Sequence, residues 1–191
     1  PSVNRASVMF SFMLAGKMMK RKNNSMNSVA ASAFILLLNE PSLIFNIGFQ
    51  LSYLAVTGII TLFPELSKIW IPENRVLLKV RDLALVSICA QLFTFPVAVS
   101  VFNIFPNYFL LTNLLVIPIT GFVIYSGVSF LVVSVMPVHA WLEKLFDLML
   151  SLMRWLVGLV DKLPGSSTDG ISLPSMQMWL LLLAIFALLL W

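Results

Sequence analysis

The chain has 191 residues, of which 60% are hydrophobic and 10% are charged. Soluble domains are about 45–50% apolar and about 25% charged, so this composition excludes an ordinary soluble domain and indicates an integral membrane protein. The formal net charge of +4 would suggest nucleic-acid binding in a soluble protein, but in a membrane protein Lys and Arg also determine which loops face the cytoplasm.

Apolar segments recur along the chain, and most have the length of a membrane-spanning helix, which is about 20 residues. In chain order we predict such segments at residues 3–19, 26–38, 45–63, 83–102, 108–136 and 176–191. The second is short for a span, and Pro41 ends it because proline disfavours a helical conformation in the residue before it. The sequence therefore predicts an all-α fold, a polytopic transmembrane helical bundle with about six spans.

Three connections between these segments have their own composition. Residues 64–82 are predicted to form a loop of mixed charge with at most a short surface helix. Residues 103–107 are predicted to form a short turn around Pro106, and residues 164–175 a loop rich in Gly, Ser and Pro.

Residues 138–163 form a different kind of helix. Their polar side chains recur at steps of three, four or seven, at His139, Glu143, Asp147, Ser151, Arg154 and Asp161. This spacing places them on one helical face. The sequence therefore predicts an amphipathic helix that lies in the membrane interface or closes a cavity.

Lysines and arginines cluster after the first, third and fifth predicted spans. If the segments cross the membrane alternately, eleven of the twelve basic residues lie on one side and only Arg5 lies on the other. Cytoplasmic loops carry the excess of basic residues, so that side is predicted to be cytoplasmic. In this topology Lys20–Lys22, Lys79 and Lys144 face the cytoplasm, and the last segment starts from the cytoplasmic side.

A stripe of neutral polar side chains runs along the third segment. On a helix with 3.6 residues per turn, these side chains fall within an arc of about 80°. They are Asn46, Gln50, Tyr53, Thr57 and Thr61. The opposite side of the helix carries small residues, which let a neighbouring helix approach closely.

Shorter stripes occur on other segments. They comprise Ser87, Gln91, Thr94 and Ala98 on the fourth, Asn113, Thr120 and Gly127 on the fifth, and Asn4, Ser7 and Ser11 on the first. Two interpretations stay open for all of these residues. They form hydrogen bonds between helices, at about 0.6–2 kcal/mol each, or they line a common polar lumen.

The sequence does not contain the patterns that indicate catalysis or metal binding. No acidic residue lies at the middle of a predicted span, and no phosphate-binding glycine loop or catalytic triad pattern occurs. The single cysteine, Cys89, and the single histidine, His139, belong to no metal-binding motif. We therefore expect no enzyme activity, cofactor or metal site.

The two ends of the sequence predict a piece of a longer protein. The chain begins at Pro1 without a methionine and ends at Trp191 inside an apolar run. We therefore expect residues 1–191 to be a partial transmembrane domain, truncated at both ends.

Four short motifs follow one another along the chain. Residues 1–9 read PSVNRASVM, residues 48–58 read GFQLSYLAVTG, residues 90–96 read AQLFTFP, and residues 105–118 contain FPNYF, then NLL and a final proline. In this order, and over about residues 1–165, the chain resembles the competence domain of ComEC-type DNA-uptake proteins.

The resemblance implies a multi-pass channel of the cytoplasmic membrane, through which single-stranded DNA crosses during natural transformation. The implied partners are single-stranded DNA, the lipid bilayer and other competence proteins, and a homo-oligomer is compatible with the resemblance. Proteins of this kind carry an oligonucleotide-binding-like domain before the region and a metallo-β-lactamase-like domain after it.

The stripes and the resemblance together suggest candidate residues for the DNA path. They are Arg5, Asn46, Gln50, Tyr53, Thr57, Gln91, Thr94 and Asn113. Neutral amides and hydroxyls offer hydrogen bonds without the strong grip of many phosphate contacts, so the strand can leave again. The ring of Tyr53 would offer bases a sliding surface, and Arg5 would attract phosphate at the outer mouth.

Two alternatives to a DNA channel remain at this point. The chain is a secondary transporter for a small solute, or it is a non-conducting membrane scaffold. A lumen about 10 Å wide or wider would favour DNA, a small pocket would favour a solute, and a fully packed bundle would favour a scaffold.

Overall fold

The computed structural model describes residues 2–18, 25–133, 139–171 and 174–190. Over these residues it contains seven α-helices, one 3₁₀-helix and two short strands. In chain order they are α1 (Ser2–Met18), α2 (Ser25–Asn39), the 3₁₀-helix (Pro41–Phe45), α3 (Ile47–Ile69), α4 (Arg75–Phe102), β1 (Ile104–Pro106), α5 (Phe109–Val133), α6 (His139–Asp161), β2 (Ser167–Asp169) and α7 (Ser175–Leu190). The predicted all-α class is confirmed.

Three of the described helices are long and apolar enough to cross a membrane. They are α3, α4 and the part of α5 from Phe109 to Leu131. Helix α2 and the Met176–Ile185 part of α7 are apolar but shorter. The structure thus supports a membrane protein with three candidate spans, and the count of six spans stays a prediction.

The pair formed by α3 and α4 is the centre of the bundle. Cys89 and Phe93 of α4 are both 0% exposed, and they pack against Gly58 of α3. A Cβ atom at Gly58 would lie 2.5 Å from the carbonyl oxygen of Cys89 and 2.7 Å from the ring of Phe93. The two helices can approach this closely only because residue 58 has no side chain.

The predicted loop at residues 64–82 is wrong, because helices occupy most of it. Helix α3 continues through Pro64 to Ile69, and α4 begins at Arg75. Pro64 lacks an N–H group, which removes one hydrogen bond of the helix, yet the last turn is kept. Apart from Glu73, the charged residues of this stretch therefore lie in α3 and α4, and residues 70–74 form the connection.

Arg81 stabilises the C-terminal end of α3. Its Nη1 atom donates hydrogen bonds to the carbonyl oxygen of Ser67, at 3.1 Å, and to that of Trp70. The last carbonyl groups of a helix have no donor within it, so a guanidinium from the next helix satisfies them. Asn74 caps α4 in turn, because its side-chain oxygen accepts from the Val76 amide at 2.9 Å.

A two-stranded antiparallel ribbon joins two connections that the sequence predicts to be a turn and a loop. Strand β1 pairs with β2, with Ile104 opposite Asp169 and Pro106 opposite Ser167. Asn107 strengthens the junction by donating from Nδ2 to the Gly165 carbonyl at 2.9 Å. Strands of three residues carry too short a pattern to be recognised in the sequence.

Helix α6 lies where the sequence predicts the amphipathic helix, but its course differs from the expected one. Its first half packs on the last turns of α5, where the Phe130 and Phe146 rings stack with centroids 6.4 Å apart. After its other end, the Pro164 carbonyl accepts a hydrogen bond from the Tyr108 hydroxyl at 3.1 Å, just before α5 begins. Helix α6 therefore runs antiparallel to α5 along its length.

This course defines two ends of the bundle. The ribbon end carries β1 and β2, and the basic end carries the connection at residues 70–74. Helix α7 starts at the ribbon end, because Ser100 near the end of α4 donates to the sulfur of Met178 at 3.1 Å. The predicted topology, in which residues 138–163 stay at the basic end and the last segment starts there, is therefore wrong.

The position of Lys162 distinguishes the two topologies. The positive-inside rule predicts that the basic end, with its clustered Lys and Arg, is cytoplasmic. We expect Lys162→Cys, which follows α6 at the ribbon end, to be labelled by an impermeant maleimide from outside intact cells. Arg75→Cys at the basic end should be labelled only after permeabilisation. The native Cys89 is buried and should contribute little background labelling. If Lys162→Cys were labelled only after permeabilisation, the topology predicted from the sequence would be supported instead.

Candidate functional site: a cavity between α3, α4 and α7

A cavity of about 320 Å³ lies between the 3₁₀-helix, α3, α4 and α7. Among the described residues, its polar lining comes from α3, through Gln50, Tyr53 and Thr57. The rest of the lining is apolar and comprises Ile44, Phe49, Leu54, Val97, Met178, Trp179 and Leu182. Ile44 and Trp179 are exposed, so the cavity opens to the surface of the chain.

The three polar residues meet in one cavity because of their spacing. Steps of three and four residues return a helix to the same face, so Gln50, Tyr53 and Thr57 all face the space in front of α7. Thr61, the next residue of the same stripe, donates its hydroxyl to the Thr57 carbonyl at 2.8 Å. Three of the five residues of the predicted stripe thus form a polar wall over two turns, and Asn46 and Thr61 are not among the lining residues.

Gln50 has a structural role as well as a place in the cavity. Its Nε2 atom donates to the carbonyl oxygen of Ile44 at 2.8 Å, which ties the 3₁₀-helix to the first turns of α3. Among the described residues, no donor bonds the amide oxygen of Gln50. That oxygen can therefore accept a hydrogen bond from a molecule in the cavity.

Tyr53 joins α3 to α2. Its hydroxyl lies 3.1 Å from the hydroxyl of Ser32, which is completely buried. Its ring packs against Phe49, with centroids 4.5 Å apart and planes inclined by 39°. The ring of Tyr53 is therefore held in place at the cavity wall, and its hydroxyl is already engaged.

Gln91 lies in a separate cavity of about 180 Å³. This second cavity is lined by Ile88, Gln91, Leu92, Phe95, Phe105 and Phe109. Val97, which lines the first cavity, comes six residues after Gln91, so the two side chains point about 120° apart around α4. Helix α4 therefore separates Gln91 from Gln50, and the structure does not bring the two glutamines together.

Thr94 and Asn113 are placed less distinctively. The hydroxyl of Thr94 donates to the Ala90 carbonyl at 2.9 Å, within its own helix. Asn113 is half-buried on α5 and is not among the residues that line either cavity.

Arg5 and Asn46 form a pair at the start of α3. Asn46 is exposed and caps α3, because its Oδ1 atom accepts from the Phe49 amide at 3.2 Å. The same oxygen accepts from Nη1 of Arg5 at 3.4 Å. Arg5 itself is buried, with 8% of its surface exposed, and its place at an outer mouth of the DNA path stays a prediction.

The α7 side of the cavity is what sequence reasoning missed. Met178, Trp179 and Leu182 belong to a helix whose sequence is apolar nearly all round. A polar stripe can be read from its spacing, but nothing in an even apolar run shows which of its residues will meet that stripe.

Comparisons with known proteins agree with the motifs. The profile of the family described as "Competence protein" matches residues 1–191. ComE operon protein 3 of Bacillus subtilis (strain 168) is 32% identical over 127 residues, which are 66% of this chain and 16% of that protein. The matched region thus spans a small part of that relative's length. No solved structure matches the chain. Since the family profile covers the whole sequence, the chain belongs to the competence protein family.

Proposed function

We propose that this chain forms part of the channel through which single-stranded DNA crosses the cytoplasmic membrane during natural transformation. The observation that carries the proposal is the cavity between α3, α4 and α7, in a chain of the competence family. Its proposed partners are single-stranded DNA, the lipid bilayer, other competence proteins and further copies of the same chain.

The chemistry of the cavity suits a strand that must move. None of the described residues that line it is Lys or Arg, so it would not hold phosphates by the salt-dependent attraction that makes DNA binding tight. Gln50 and Thr57 offer hydrogen bonds, and Trp179 offers an exposed ring. Stacking of a base on an aromatic ring contributes about 1–3 kcal/mol and tolerates any base.

The size of the cavity limits what it holds. Pockets for small molecules range from about 300 to 1,000 Å³, so a cavity of about 320 Å³ accommodates a group of the size of one base at a time. In the proposed route the backbone of the strand passes along the open side, beside Ile44 and Trp179. The opposite wall of that route comes from outside this chain.

The same size favours a second candidate function, a transporter for a small solute. The two functions differ in what a blocked cavity would affect. A solute transporter would lose uptake of its solute while DNA uptake continued, whereas a part of the DNA route would lose DNA uptake.

Replacement of Gln50 tests the proposal. Gln50→Leu in the full-length protein keeps the helix and is easier to insert into lipid than Gln. The hydrogen bond that it removes, to the Ile44 carbonyl, is exposed, so abundance should persist. Loss of the polar contact should lower transformation by up to about tenfold, since one hydrogen bond contributes about 0.5–1.5 kcal/mol. The readout is transformation frequency divided by membrane abundance.

Gln91→Leu is the matched substitution at the second cavity. If both glutamines touch the strand, both variants lose transformation at unchanged abundance. If they only join helices, transformation and abundance fall together. Wild-type transformation in both variants, at matched abundance, would argue against these side chains as parts of the route.

A further inference from the structure

Arg5 carries a buried charge that the described part of the chain does not neutralise. It lies in the first turn of α1 and is 8% exposed. Its Nε atom is buried and has no hydrogen-bond partner among the residues that the structure describes. The bond from Nη1 to Asn46 is long, at 3.4 Å, and among the described residues no carboxylate forms an ion pair with this guanidinium.

The guanidinium points at the start of α3. A Cβ atom at Gly48, the second residue of α3, would lie 3.0 Å from Nη2 of Arg5 and 3.5 Å from its Nη1. The absence of a side chain at Gly48 is what admits the guanidinium. The first N–H groups of a helix have no acceptor within it, and the helix dipole gives this end a partial positive charge.

Two positive groups thus lie together, and none of the described carboxylates is paired with the guanidinium. A cation beside a helix N-terminus is unfavourable, and an unpaired charge away from water is more so. Both costs fall when an anion contacts the guanidinium and the first turn of α3 together. A phosphate suits the place, because Arg presents paired N–H donors to its oxygens and helix N-termini bind such groups.

We propose that Arg5 and the first turn of α3 bind a backbone phosphate of the incoming DNA strand. The identity of the ligand rests on the proposed function, whereas the phosphate chemistry rests on Arg5 and Gly48. Gln50 is two residues after Gly48, in the same turn of α3, and lines the cavity. A phosphate held here would position the strand so that the following base reaches the cavity.

The test uses the purified full-length protein in detergent, with ionic strength held constant by chloride. A short oligothymidylate should raise the thermal unfolding temperature of the wild type by at least about 2 °C, because it binds the folded state. Arg5→Gln should lose this shift. The control Arg75→Gln removes an exposed charge at the basic end and should keep it.

The unfolding temperature without oligonucleotide distinguishes a binding role of Arg5 from a structural one. Without oligonucleotide, Arg5→Gln should unfold at or above the wild-type temperature, because it removes a buried unpaired charge. A lower temperature together with a retained oligonucleotide shift would make Arg5 a purely structural residue and overturn the proposal. Absence of any shift in the wild type would overturn it too.

Other phosphate compounds show whether the bound phosphate belongs to DNA or to a lipid. The same measurement is made with inorganic phosphate and with phosphatidylglycerol in mixed micelles. A shift with phosphatidylglycerol but none with oligothymidylate would assign the site to lipid and overturn the DNA assignment. A shift with oligothymidylate that is lost in Arg5→Gln supports the phosphate site, whatever the cavity does. If DNA uptake also continued when the cavity is blocked, only the proposed route through the cavity would be overturned.

Discussion

Gly58→Leu should prevent the full-length protein from accumulating in a folded form. The added side chain would begin 2.5 Å from the Cys89 carbonyl oxygen and 2.7 Å from the Phe93 ring. Neither can move away cheaply, because one is helix backbone and the other is completely buried. Overpacking of a tight core costs about 1–3 kcal/mol even for small additions, and a full Leu side chain on α3 would force α4 away.

The measurement is membrane abundance together with the thermal unfolding temperature in detergent. We expect abundance to fall by more than about tenfold, which corresponds to about 1.4 kcal/mol. Gly121→Leu on α5 is the control, because nothing lies within 4 Å of a Cβ atom at that position. It should accumulate normally. Equal abundance and stability of the two variants would show that α3 and α4 do not pack as described.

The helices and one wall of the site could be predicted from the sequence because both are local patterns. Long apolar runs locate α3, α4 and α5, since a bilayer requires continuous apolar length. The spacing of Gln50, Tyr53 and Thr57 predicts a common face, and the structure places all three at one cavity. The spacing of residues within one helix is enough to predict which of them share a face.

What faces that wall could not be predicted, because it depends on residues far apart in the chain. The cavity needs Trp179 from α7, and α7 reaches it because β2 pairs with β1 at the end of α4. The burial of Arg5 depends on Gly48, more than forty residues later. The return of α6 along α5 brings the ring of Phe146 against that of Phe130, sixteen residues earlier. None of these contacts leaves a periodic signal.

The separation of Gln91 from Gln50 has the same origin. Stripes on different helices predict that each helix has a polar face, but not that the faces meet. In the structure, α4 turns Gln91 towards the aromatic residues Phe105 and Phe109 and turns Val97 towards the first cavity. The polar stripes of α3 and α4 have similar spacing, but they therefore line different cavities.

Blocking the cavity between α3, α4 and α7 tests most directly whether DNA passes by it, as proposed. Thr57 is half-buried and lines the cavity. Thr57→Trp in the full-length protein would fill much of this space with an apolar side chain that lipid insertion tolerates. Ile124→Trp is the matched control, because Ile124 is an exposed residue of α5.

The measurement is the entry of fluorescently labelled single strands into the cytoplasm of competent cells, normalised to membrane abundance. We expect Thr57→Trp to reduce entry by at least about tenfold, which needs only about 1.4 kcal/mol of added barrier, while Ile124→Trp stays near the wild type. Entry at the wild-type rate in Thr57→Trp, at matched abundance, would contradict the account.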